Sequence, residues 1–121
     1  LAKNYKDSQI EVSFTPKGFF DIKKQIYKIA LLFKAYNEEF GKDNSFITVE
    51  LESFFEFKDE IEISTIPSYF YKNSLAIIYP YIRSFVSSAT LQANVRPLIL
   101  PTLNLSGLET DLRESTKDIS L

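Results

Sequence analysis

Between Asn73 and Asn94 apolar residues recur at helical spacing around a proline, and this combination restricts the fold more than any other stretch. Leu75, Ile78, Ile82, Phe85 and Ala89 follow a three-four-three-four spacing, which sets them on one face of a helix. Pro80 stands inside the run, where it removes a backbone hydrogen bond and crowds the preceding turn, so a kinked or irregular helix is expected there. Ile77, Tyr81 and Val86 make much of the remaining circumference apolar as well. A helix of this kind is buried on more than one side, within its own protomer or between subunits. Asn73 or Ser74 is the expected N-cap, with a side-chain oxygen for the first free backbone N–H groups. Beyond the helix, residues 100–105 (LPTLNL) are too proline-punctuated for helix and too apolar for a free loop.

Upstream the apolar period changes from helical spacing to two. Ile10, Val12 and Phe14 alternate with Glu11, Ser13 and Thr15, the signature of a half-buried strand, and Pro16-Lys17-Gly18 is the expected turn that ends it. Tyr27, Ile29, Leu31, Phe33 and Ala35 form a second alternating set, and residues 37–44 (NEEFGKDN) a polar connection. Ile47, Val49 and Leu51 begin a third set, which Phe54, Phe55 and Phe57 continue. Short links between consecutive strands require antiparallel pairing. Leu108 and Leu112 lie one turn apart among charged residues and predict a short second helix, with Ser115 to Leu121 frayed beyond it. Strands first and helices after them make this a single α+β domain over residues 1–121, an antiparallel sheet of three to four strands followed by a long helix and a short C-terminal helix.

The residue types exclude much chemistry. With no Cys there is neither a disulfide framework nor a thiol nucleophile, and with no His the commonest general base and metal ligand is missing. Three glycines, scattered, make no phosphate loop. Glu38-Glu39, Glu50 with Glu52, and Asp59-Glu60 are carboxylate pairs, but acids alternating on a strand read as a solvated face. No catalytic residue, metal or cofactor is therefore expected, and a non-enzymatic protein is. A net charge of −2 recommends no nucleic-acid partner. The N-terminal LAKNYK lacks the apolar core of a signal peptide, and no run has the length of a membrane span, so a soluble cytoplasmic protein without membrane insertion is expected. Leu at position 1 leads us to expect a trimmed N-terminus. Eleven Phe and seven Tyr are a heavy load for 121 residues. Core packing is the plain account of each one, and any excess belongs to an oligomer interface or an apolar binding surface.

Pro80-Tyr81-Ile82-Arg83 inside a long helix, then Pro97, Pro101 and Leu103-Asn104-Leu105 in an apolar run, resemble the C-terminal half of the SecB family of protein-export chaperones. The resemblance covers about thirty-five residues by motif, and the strands upstream by order alone. It implies a four-stranded antiparallel sheet, a long helix, an extended segment and a second helix. Only nine residues precede Ile10, so the family's first strand and crossover loop are expected to be missing, short or cut away. It also implies an ATP-independent holdase, which binds unfolded polypeptides or preproteins in apolar grooves. By this resemblance the groove residues are Ile10, Val12, Phe14, Leu108 and Leu112. Glu50 and Glu52 are the nearest counterparts of the acidic face that docks a SecA-type motor, within a run holding six acids and one base from Glu50 to Glu62. Leu75, Ile78, Ile82, Phe85 and Ala89 are the implied oligomer interface of a homotetramer, a dimer of dimers. Solitary relatives of this type serve one dedicated partner, such as the antitoxin of a toxin–antitoxin pair. The rival from another class is a small-molecule-binding α+β dimer, which would close its aromatics around a compact pocket with convergent polar groups.

Overall fold

Each long strand carries one apolar row and one mixed row, and the pairing register stacks the apolar rows side by side. The computed structural model describes residues 10–92 and 106–120. Strands β1 (Ile10–Asp21), β2 (Ile26–Asn37) and β3 (Ile47–Glu56) form an antiparallel meander. Val12, Phe14, Pro16, Gly18 and Phe20 of β1 lie opposite Ala35, Phe33, Leu31, Ile29 and Tyr27 of β2. The last four of these lie opposite Val49, Leu51, Ser53 and Phe55 of β3. Helix α1 (Ser68–Gln92) lies on this apolar layer. It contributes Tyr71, Leu75, Ile78, Tyr79, Ile82 and Val86 to a core shared with Phe20, Tyr27, Ile29, Leu31 and Phe33. Helix α2 (Ser106–Ser115) packs on β1 and α1, and strand β4 (Lys117–Asp118) follows it. The sheet order is β3-β2-β1-β4. The connection from 93 to 105, with its LPTLNL run, Pro97 and Pro101, lies outside the described residues.

The α+β architecture and the antiparallel meander are as the sequence predicts, but three local expectations are corrected. First, β1 does not end at Pro16; it runs on to Asp21. Pro16 is tolerated because its missing N–H falls on the side of β1 away from β2, where no ladder bond is lost. The chain turns instead after Asp21, where Gln25 adopts a positive φ of 57°. The Gln25 amide holds the turn in place. Its Nε2 donates to the carbonyls of Ile22 (2.7 Å) and Ile61 (3.0 Å), and its Oε1 accepts from the Ile61 N–H (2.9 Å).

Second, α1 begins at Ser68, directly after Pro67, so Asn73 and Ser74 are interior residues and not caps. Pro67 accepts from the Phe70 N–H at 3.0 Å, and the aromatic cluster Tyr69–Tyr71 makes the first turn. Ser74 is buried, its hydroxyl donating to the Tyr71 carbonyl (3.2 Å). Helix α1 continues through Pro80 without a break. Pro80 and Ala76, whose carbonyl loses its usual partner, are both exposed, so the freed carbonyl lies on a side of the helix open to solvent. Third, residues 116–120 are not frayed. Lys117 and Asp118 pair in parallel with Phe19 and Phe20, and the Ile119 N–H donates to the Phe20 carbonyl at 2.9 Å. The fourth strand thus comes from the C-terminal segment and makes the sheet mixed.

Candidate functional site

The site the sequence points to is built on β1 and α2. Along the core-side row of β1, Ile10 is exposed while Val12 and Phe14 are half-buried. Phe14 leans on the Phe33 ring (centroids 5.1 Å apart) and edge-on against Tyr79 (5.7 Å). Leu108 is half-buried, whereas Leu112, one turn on, is wholly buried in the core. Of the five expected groove residues, four therefore keep some accessible apolar surface and Leu112 keeps none. Leu112 instead anchors α2, a role its matching spacing with Leu108 does not reveal in sequence.

What holds α2 and β4 on the sheet is a small polar knot that sequence reasoning missed. Ser115 Oγ accepts from the Gly18 N–H (3.2 Å), donates to the Leu112 carbonyl (3.0 Å) and stands 3.4 Å from the Pro16 carbonyl. Thr116 Oγ1 lies 2.6 Å from the Tyr27 hydroxyl and 2.8 Å from the Leu112 carbonyl. Arg113 lies over the Tyr71 ring at 5.2 Å. Serine and threonine at the end of a helix carry no signal of such a partner; only the tertiary fold brings Gly18 within reach.

Burial pushes the Tyr27 phenol well above its ordinary range, against the opposing bond with Thr116. Tyr71 and Tyr79 are raised by the same cause, opposed by Arg113 and Arg83 respectively. A pKa raised by folding gives stability that is present below the unfolded value and lost as pH rises past it. Thermal midpoints are therefore expected to hold up to pH 10.0, the free phenol's value, and to fall above it, with Tyr27→Phe making that fall shallower. A flat profile across pH 9–11 would mean that Tyr27 is hydrated.

The outer face of the sheet carries Glu50 and Glu52, both exposed on β3. Glu52 is paired with Lys28 (3.3 Å), which also lies 4.8 Å from the centre of the Phe19 ring. Lys17, Lys28 and Lys34 share this face by register, so it is mixed in charge. The purely acidic part of the run is the exposed trio Asp59, Glu60 and Glu62 beyond the strand.

On α1 the five expected interface residues divide. Leu75, Ile78 and Ile82 are at most 2% exposed, taken up by the protomer's own core, and Ala89 is half-buried. Phe85 faces outward at 56%, in line with Ile77 (56%) and Tyr81 (68%) at four-residue spacing. The free apolar stripe is thus Ile77-Tyr81-Phe85. Among the described residues six aromatics are exposed, Phe40, Phe46, Phe54, Tyr69, Tyr81 and Phe85, so the aromatic excess lies outside the core.

This geometry can be set beside known proteins. The fold is SecB-like. It matches the Mycobacterium tuberculosis SecB-like chaperone Rv1957, solved in complex with a ChAD peptide from the HigA1 antitoxin Rv1956. The TM-score is 0.54 over 81% of this chain and 74% of that one, at 17% identity. In sequence the chain is 35% identical over 77 residues to MJ0357, an uncharacterized protein of Methanocaldococcus jannaschii, covering 64% of this chain and 49% of that protein. The chain thus spans about half the length of the curated relative it matches. No family model matches the chain. No described helix is long and apolar enough to cross a membrane.

Proposed function

We propose that this protein is a SecB-like, ATP-independent holdase that binds non-native polypeptides along β1 and α2. The observation that carries the proposal is the accessible apolar row Ile10-Val12-Phe14, flanked by Leu108, on a fold shared with a chaperone. Such a surface needs no reacting group. Each segment that docks removes apolar area from water, worth roughly 25 cal/mol per Å², and loses chain entropy, so affinity grows with the length of exposed client.

The neighbour's bound antitoxin peptide favours a second form of this reading, service to one dedicated partner such as an antitoxin. The mixed charge of the outer face at Glu50 and Glu52 gives less support to docking of a SecA-type motor. Self-association, as a dimer or a dimer of dimers, is proposed through the stripe Ile77-Tyr81-Phe85 and a second copy of this chain.

A permanently unfolded, carboxymethylated test protein is expected to bind and its native form is not, with fluorescence anisotropy as the readout. Ile10→Lys should weaken that binding severalfold while the thermal midpoint stays put, because Ile10 is already exposed. Equal binding of the native and unfolded forms would contradict the holdase reading.

A further inference from the structure

Among the described residues, the long edge of β1 that faces away from β2 is only partly occupied. Three contacts fix which backbone groups point there. The Phe20 carbonyl accepts from the Ile119 N–H, the Gly18 N–H donates to Ser115 Oγ, and the Pro16 carbonyl lies 3.4 Å from the same oxygen. Alternate residues of a strand direct both backbone groups to the same side. The β1–β2 register is unbroken from Ile10 to Asp21, so the even-numbered residues of β1 all face the outer edge. At Phe20 that edge is closed by β4, and at Gly18 and Pro16 by Ser115. Pro16 has no N–H to offer. Val12 and Phe14 come next, and among the described residues no strand lies beside their outward N–H and C=O groups. An edge left open beside accessible apolar side chains is a template for an added strand.

We infer that a bound polypeptide is held through its main chain as a further strand on β1, hydrogen-bonded to Val12 and Phe14, and that Pro16 with Ser115 ends the pairing. The inference rests on the polypeptide-binding reading above and adds how the segment is gripped. The occupant is an extended, unfolded segment of about five residues, the length of edge from Ile10 to Phe14. Its character follows from β4, an extended strand already seated on this same edge at Phe19 and Phe20. Client side chains level with Val12 and Phe14 point to the core side of the sheet and are apolar. Those level with Glu11, Ser13 and Thr15 point to the outer face and are polar, a cation being favoured beside Glu11. Sequence is read only as this alternation, which suits a client surface defined by being unfolded.

The probe is a labelled ten-residue peptide of alternating valine and lysine in three forms: unmethylated, N-methylated at every valine, and N-methylated at every lysine. The side chains are the same in all three, and each methylated form blocks one edge of the strand. The unmethylated peptide is expected to bind, and one methylated form to bind at least tenfold more weakly than the other. Loss with methylated valines means antiparallel pairing and loss with methylated lysines means parallel pairing, and either supports the added strand. Equal affinity of the two methylated forms overturns it. Val12→Pro against Val12→Ala is the second measurement, since proline removes only the outward N–H and spares the ladder to β2. About tenfold weaker peptide binding by the proline variant is expected, with an unchanged thermal midpoint, and equal binding overturns the assignment. Failure of both the unmethylated peptide and an unfolded protein to bind would defeat the polypeptide-binding reading itself, and this inference with it.

Discussion

Ile82→Asp is expected to leave no cooperatively folded protein, whereas Phe85→Asp, three residues further along α1, is expected to fold like the parent. The two residues are both large and apolar, and both stand in the helical spacing that marks this segment. Their surroundings differ. Ile82 is 1% exposed, packed between α1 and the sheet with Leu75, Ile78 and Val86, while Phe85 is 56% exposed. A carboxylate at position 82 would be buried without a partner, a defect of about 3–5 kcal/mol before the lost packing is counted. Set against a total stability of about 5–15 kcal/mol for a domain, that is enough to unfold a marginal one. Within a single protomer a carboxylate at position 85 stays in water, and the change in the protomer's own stability should be within about 0.5 kcal/mol. Circular dichroism melts of the two variants check this. Solution mass, measured alongside, should fall for Phe85→Asp if the stripe Ile77-Tyr81-Phe85 joins two copies. A folded Ile82→Asp protein would contradict the core described above.

Gly18→Ala is the second large effect, from a single added methyl group. A Cβ at Gly18 would collide with the Tyr27 hydroxyl and stand 2.8 Å from its Cζ and 2.7 Å from Thr116 Oγ1. Tyr27 has nowhere to go. It is wholly buried, with Phe70 edge-on at 4.9 Å, and Phe20 at 6.2 Å and Tyr71 at 6.3 Å close it in. Overpacking at a site that cannot yield destabilises by about 1–3 kcal/mol, and here the upper end applies. A drop in melting temperature of about 10 °C is expected for a domain of this size. Because the colliding atom is the phenol oxygen, Tyr27→Phe in the Gly18→Ala background should recover part of the loss. The same lesion loosens the Ser115–Thr116 knot, so α2 and β4 should become the first segments to exchange amide protons. A Gly18→Ala protein that melts like the parent would show that the Tyr27 ring has room to move.

The strands could be read directly from the chain because one face of each is apolar and the other is not. Period two therefore identified β2 and β3 almost to the residue. The first strand was cut short at Pro16-Lys17-Gly18, since turn residues in a strand are tolerated only where an edge and a close neighbour permit them, and neither is visible locally. The helix start was missed because Ser74 has the chemistry of a cap, while Pro67 and the aromatics behind it carry the real boundary. Within α1 the sequence could not say which apolar residues face inward. Leu75-Ile78-Ile82 and Ile77-Tyr81-Phe85 are alike in character, and no polar stripe separates them. For the candidate site, the row Ile10-Val12-Phe14 was legible from alternation, but Leu108 and Leu112 looked equivalent and are not. The contribution of Ser115 and Thr116 depends on residues nearly a hundred positions away and has no local signature.

The measurement that bears most directly on the chaperone reading is suppression of aggregation of a chemically unfolded protein, followed by light scattering without nucleotide at defined subunit ratios. Suppression near stoichiometric ratios, weakened by Ile10→Lys and untouched by added ATP, is the result this account predicts. Undiminished scattering in the presence of well-folded protein would contradict it, leaving a SecB-like fold with a different task.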